Sequence, residues 1–399
     1  MSARYDVAVV GGGLLGAALA RELASDGVDV LLLERDQINQ HASGRNAGSL
    51  HFQLEYRMIE RGLDAARRAA EAIPLHLESA RLWQELGAEI GPALGVAQRG
   101  GLMLATDAEG ARRLEAKAEL ERSWGLEVSV LDRTETHRLA PYLADTVLAA
   151  SYCPDEGKAN ARTAAPALCR AAVGLGADVL TRVGVTGLER EGSRWKIRAE
   201  QNSVPMTFEA DIVILAAGVW CDELAAMMGS AVPVEPVALT MSVTARTAPF
   251  TPYLIQHAGA RLSLKQTAEG NVLIGGGWPA RLASHADGTV DLRGRGEIVS
   301  TSLAGNAAAA IAAVPSVTSL PVLRTWVGTT TLAPDQLPVV GPLPGAPGAF
   351  VATGGSVFTL GPAFAVLLSE LVQGRTPRLD LRPYRVDRFD RDEAVRDAG

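Results

Sequence analysis

The chain has 399 residues, 47% hydrophobic and 21% charged, and its 38 basic and 45 acidic side chains leave a net charge of −7. This is a globular composition, long enough for two domains or for one large doubly wound unit with an inserted part. It argues against a nucleic-acid partner, since no Lys/Arg block stands out, and against a transmembrane span, since no apolar run reaches about 18 residues.

Residues 7–10 form a short apolar, β-branched run suited to a buried parallel strand. Gly11, Gly13 and Gly16 follow with G-x-G-x-x-G spacing and lead through Leu14 and Leu15 into a helix. The first glycine permits a tight turn, the second lets backbone approach a pyrophosphate, and the third lets helix pack on strand. The helix N-terminus adds free N–H groups and a positive dipole end. Residues 30–33 read as the second strand, and Glu34 ends it, 18 residues beyond Gly16, where a carboxylate can accept from a ribose hydroxyl. The spacing therefore predicts a dinucleotide site. The glycines together with Arg21, Glu22 and Asp26 also interrupt any signal-peptide core.

Residues 56–86 read as helical, with Pro74 starting a new helix or kinking the old one. A strand over 100–107 leads into a helix over 108–124, and a further helix is predicted over 161–174. Residues 177–218 alternate strands and turns and end in the apolar strand 212–216 before Gly218. Residues 233–252 alternate as in an antiparallel sheet, and 262–264 with 271–274 suggest a hairpin about 268–270. A helix over 304–313, a strand and Pro-punctuated loop over 322–342 and a strand over 349–352 follow. Then come a Gly-rich turn over 354–362 and an apolar helix over 363–373. The charged run 382–399 reads as a solvated tail. The three cysteines, Cys153, Cys169 and Cys221, contain no C-x-x-C; they make neither a disulfide framework nor a zinc site and fit a reducing cytoplasm.

Four separated segments together resemble the D-amino-acid-oxidase-like (DAO) superfamily of FAD-dependent amine oxidoreductases. They are the fingerprint with Glu34, the turn HASGRNAGSLHFQ over 41–53, the strand end DIVILAAGVWCDEL over 211–224, and the closing segment RTWVGTTTLAPDQLPVVGP with FVATGGSVFTLGPAFAVLLSELV. The resemblance implies an α/β fold with a Rossmann-like FAD domain from residues 1–85, 145–225 and 323–399, and a mixed antiparallel-sheet substrate domain from 86–144 and 226–322. It implies FAD contacts from Arg35, Ser43, Gly44, Arg45, Asn46, Gly48, Ser49, Val183, Ala217, Gly218, Trp220, Gly354, Gly355, Phe358, Thr359 and Leu360. Arg45 can pair with a phosphate or a flavin carbonyl, and the closing turn aims helix N–H groups at the pyrimidine end. Sarcosine oxidases attach flavin through a cysteine in the loop matching 329–335; here that loop has none, so non-covalent FAD is expected.

The implied reaction oxidises the C–N bond of an amino acid or secondary amine. A hydride passes to flavin N5, and water hydrolyses the imine. The electron acceptor would be O2 or a redox partner. The alternatives are the flavin subunit of a hetero-oligomeric amine or opine dehydrogenase, with partner subunits, and a 2-hydroxy-acid dehydrogenase on the same fold. His51 and Lys265 are the catalytic candidates; Tyr253, Arg261, Trp326 and Thr330 are the substrate-side ones, and no metal is expected. Where glycine oxidase carries a carboxylate-clamping Arg, this chain has Thr330. A Thr hydroxyl cannot reproduce a bidentate Arg pair, so the clamp is lost or moved to Lys265, Arg261 or Arg324. Glycine and sarcosine are then expected to be poor substrates.

Overall fold

The computed structural model describes residues 3–389. Two eight-stranded sheets dominate it. The centre of the first is parallel: Val30–Glu34 and Val204–Leu215 flank Ala3–Val10, with Val7 to Val10 opposite Val30 to Leu33 on one side and Ile212 to Leu215 on the other. Asp178–Thr181 extends it at one edge and Ala349–Thr353 pairs beside Val213 to Leu215. Every side chain of Val30–Glu34 is buried, as expected of a parallel strand covered on both faces. Helix Leu14–Ser25 packs between helices Ala164–Gly174 and Val357–Val372. Only glycine allows its crossing over the first strand, because a Cβ on Gly16 would lie 1.8 Å from the Gly11 carbonyl oxygen.

The second sheet runs in the order Val322–Leu332, Glu235–Arg246, Asn271–Gly275, Ser263–Gln266, Leu254–His257, Gly101–Ala105, Ala149–Cys153, Ser129–Leu131. Helix Ser300–Ala313 shares an apolar core with its outer face, through Ala310, Ala313, Ile255, Leu264 and Ile274. Two strands expected with the nucleotide part belong here instead. Ala149–Cys153 pairs antiparallel with Gly101–Ala105, and Val322–Leu332 pairs along nearly its whole length with Glu235–Arg246. The boundary expected at 145 therefore falls before, and that at 323 within, a strand whose backbone hydrogen bonds are made in the second sheet.

Two further expectations change. The closing helix begins at Val357, not at 363, and Pro362 lies inside it. Proline has no N–H for the Phe358 carbonyl. The next carbonyl, of Thr359, accepts from Ser79 Oγ at 2.5 Å and Trp83 Nε1 at 2.8 Å, which fastens this turn to helix Ile73–Ile90. The charged C-terminal run is not a free tail over residues 382–389. Tyr384 and Val386 are buried, Tyr384 Oη donates to the Glu71 carbonyl at 2.5 Å, and Arg388 grips Asp335 with two bonds of 2.8 and 3.0 Å. Residues 390–399 lie outside the described residues. Among the described residues no helix is long and apolar enough to cross a membrane.

Candidate active site

All five parallel strands end on one cavity of about 1070 Å³. Their C-terminal ends bring together Gly11 and Gly13, Glu34 and Arg35, Val183, Ala217 with Gly218 and Trp220, and Gly354. This is the crevice at the carboxyl edge of an open α/β sheet, where strand order reverses and ligands bind. The inner face of the second sheet closes the other side.

The nucleotide end is tightly built. Glu34 Oε2 accepts from Gly12 N–H at 2.6 Å and Oε1 from Asp36 N–H at 2.7 Å, which holds the carboxylate at the strand end. Ser43 Oγ accepts from Leu14 N–H at 2.9 Å, and a Cβ on Gly13 would lie 2.9 Å from the same oxygen. The two turns are thus fastened face to face. The Arg35 guanidinium stacks 4.2 Å from the Trp220 ring, and His41 meets the same ring edge-on at 4.9 Å. Asn46 ties its own turn through the Ser43 carbonyl and Gly48 N–H, at 2.7 and 2.5 Å. Trp326 Nε1 donates to the Arg45 carbonyl at 2.7 Å, joining the second sheet to this turn.

Beyond it, residues 51–55 run along the cavity wall, which His51 and Glu55 line, on a buried polar frame. Phe52 and Gln53 N–H both donate to Glu156 Oε1 at 3.0 Å, Gln53 Nε2 donates to Glu156 Oε2 at 2.9 Å, and Leu54 N–H donates to Glu121 Oε1 at 2.6 Å. Lys117 Nζ bridges Glu121 at 2.7 Å and Gln53 at 3.0 Å. Burial pushes the Glu156 carboxyl up to about 7, against the hydrogen bonds of Gln53 and Phe52 and the charge of Lys117. His51 Nε2 lies 3.3 Å from Ser263 Oγ, while its Nδ1 is shut off from solvent with no partner among the described residues. Burial pushes the imidazole down to about 4, so it is neutral at ordinary pH.

Of the expected cofactor residues, Leu15, Ser43, Arg45, Asn46, Ser49, Phe358 and Thr359 also line the cavity. Leu14, Gly16, Gly44 and Gly48 lie just behind it; Gly44 and Gly48 make close backbone approaches to the Asn39 and Ala159 carbonyls. Gly355 and Leu360 border a separate small hollow with Met58 and His76. Of the catalytic and substrate-side candidates, His51, Arg261 and Thr330 line the cavity. Tyr253 does not: it has the parity of Ile255, facing the outer core, whereas Gln256 faces the cavity. Its ring packs edge-on against Tyr152 at 6.1 Å. Trp326 is occupied with Arg45 and lies off the cavity.

Lys265 shares the face of Ser263 but sits one step beyond the cavity edge, buried, with Nζ unpartnered among the described residues. Burial, and then the nearby Lys158, push its ammonium well below the usual lysine range. Arg324 is exposed, so of the three cations considered for a carboxylate only Arg261 reaches the cavity.

Sequence reasoning missed a group assembled from three distant segments. Arg57 donates to Glu55 at 3.2 Å, Ser356 Oγ at 3.0 Å and Gln336 Oε1 at 3.1 Å, all on the cavity wall. No local pattern links those positions. It also missed Val237, Leu239 and Met241, whose alternation within 233–252 was the available signal.

The residues fit a dinucleotide: glycine backbone that a Cβ would block, an acid at the second strand end, and a volume at the upper end for cofactor pockets. A strand-end crevice so built, facing a second sheet, belongs to the class of dinucleotide-binding proteins. The family model for FAD dependent oxidoreductases (DAO) matches residues 6–371, and the chain belongs to that family. It is an FAD-dependent enzyme. It is 29% identical to glycine oxidase from Geobacillus kaustophilus over 404 aligned residues, covering 97% of this chain and 98% of the relative. It is 28% identical to a subunit of opine oxidase from Rhizobium meliloti, covering 98% of this chain and 99% of that relative. The crystal structure of glycine oxidase from Geobacillus kaustophilus superposes with TM-score 0.81 at 26% identity, covering 96% of this chain and 99% of that one.

Proposed function

We propose that the protein oxidises the C–N bond of an amino acid or N-substituted amine, using FAD held without a covalent link. The first sheet with its helices forms the FAD unit, and the second sheet forms the substrate unit. The observation that carries this reading is the strand-end crevice with its glycine turns and Glu34, faced across the same cavity by the polar groups of His51, Gln256, Ser263 and Arg261. The relatives named as glycine oxidase and as an opine oxidase subunit support the same chemistry.

Bound FAD supplies the two-electron acceptor for the hydride of the substrate's C–H bond. The amine gives up its N–H proton, and the C–N bond becomes an imine that water hydrolyses to a carbonyl compound and an amine or ammonia. The part of this chain is orientation: Glu156 and Glu121 fix the 51–55 segment, and Gln256, Ser263 and Arg261 offer polar atoms to the substrate. No cysteine lines the cavity, in keeping with non-covalent FAD.

Anaerobic flavin bleaching across a panel of amines and 2-hydroxy acids, with assay of released amine, tests the reading. Bleaching by hydroxy acids alone would overturn it. The match to an opine oxidase subunit supports a second reading, a flavin subunit that passes electrons to partner chains. Dye reduction by the purified single chain at a rate typical of complete enzymes would exclude it.

A further inference from the structure

The second sheet presents the cavity with a graded row of side chains. The Met241 side chain packs on bare Gly275, Gly275 pairs with Ser263, and Ser263 pairs with Gln256. At the Gln256 end the row is polar: Gln256 donates to Glu156, and Ser263 meets His51. At the Met241 end it is apolar. Val237, Leu239 and Met241 alternate along one strand, so all three share a face, and all three line the cavity. Gly275 matters between the two ends because its missing side chain leaves the floor open; a Cβ there would already lie 2.9 Å from Met241 Cε. Arg261, two residues before Ser263, puts a cation on the cavity beside the polar end.

We propose that the substrate lies along this row, with its amine and carboxylate over Gln256, Ser263 and Arg261 and an apolar substituent in the Val237–Leu239–Met241 slot. The substrate class is an amino acid with a branched aliphatic or aromatic side group. The inference rests on the amine-oxidase reading and adds the specificity to it. Each methylene moved from water into such a slot is worth roughly fourfold in binding. A leucine-sized or phenylalanine-sized side group therefore gains on the order of 100-fold over glycine in kcat/KM, because glycine leaves the slot empty.

The holoenzyme is mixed anaerobically with glycine, sarcosine, alanine, leucine and phenylalanine, each amino acid in both hands where it has two, and flavin reduction is followed against concentration. The expected result is leucine or phenylalanine ahead of glycine and sarcosine by about 100-fold. Leu239→Asn, with its FAD content measured, should cut that ratio at least tenfold, and Leu239→Ile should restore most of it. Glycine equal to the best larger amine would overturn the slot while leaving amine oxidation standing. So would a Leu239→Asn holoenzyme with an unchanged ratio. If no amine reduces the flavin and hydroxy acids do, the underlying reading fails instead.

Discussion

Lys117 and Glu121 form an ion pair with side chains only 1% and 0% exposed, far from any solvent that would screen them. Glu121 has two protein partners, Lys117 at 2.7 Å and Leu54 N–H at 2.6 Å. Lys117→Met keeps the length and the apolar stem but leaves a carboxylate buried with a single donor. Breaking a buried pair from one side costs about 3–5 kcal/mol. At about 2.1 cal/mol/K per residue, unfolding 399 residues carries an entropy near 0.8 kcal/mol/K, so Tm should fall by about 4–6 °C. The double variant Lys117→Met/Glu121→Leu removes both charges and strands only Leu54 N–H, at a cost of about 1–3 kcal/mol, and should recover part of the loss. Differential scanning calorimetry of both holoproteins measures this. A single variant within 1 °C of the wild type, or a double variant worse than the single, would refute the reasoning. Because the frame holds residues 51–55, the single variant should also slow flavin reduction more than it lowers FAD content.

The other expectations can be checked on the same preparations. Acid or heat should release all the FAD, and flavin fluorescence left in the precipitate would reveal a covalent bond; Gly13→Val, which pushes carbon into Ser43 Oγ, should yield apoprotein. Lys265→Met replaces a buried, unpartnered amine by an apolar chain of similar length, so Tm should hold or rise and flavin reduction should stay within about twofold. A tenfold slower reduction would put that amine against the substrate. The folded Glu156 carboxyl holds its proton up to about 7, against 4.5 ordinarily, so the folded state binds the extra proton between those values. Its contribution to stability therefore falls as pH rises through that window, and Glu156→Gln should flatten that part of a Tm-versus-pH curve.

The glycine turn and the acid at the second strand end were legible because their signals are local. Gly11, Gly13, Gly16 and Glu34 sit within one strand–helix–strand unit, and each is dictated by backbone approach or by its place at a strand end. The wall supplied by the second sheet was less so. Lys265 lies on the expected hairpin strand and Tyr253 just before the strand Leu254–His257, which was not anticipated, yet whether a residue faces a cavity depends on register and on where the cavity ends. Tyr253 has the wrong parity, and Lys265 has the right one but sits a step too far along. The cluster of Arg57, Gln336 and Ser356 joins positions up to 299 residues apart, a distance over which periodicity carries no information. Residues 382–389 were misread because charge suggested water, whereas Arg388 directs its charge to Asp335.

That last clasp bears on the order in which the molecule can be built. Asp335 sits in the loop whose neighbours Pro334 and Gln336 wall the cavity, and Arg388 also donates to the Leu337 carbonyl at 3.3 Å. The nucleotide fingerprint leaves the ribosome first, but the wall opposite it arrives more than 300 residues later and is pinned by a residue later still. Domains folding from the N-terminus during synthesis can complete early only if their contacts are early. Here they are not: the wall facing the dinucleotide turn is pinned only once Arg388 is in place.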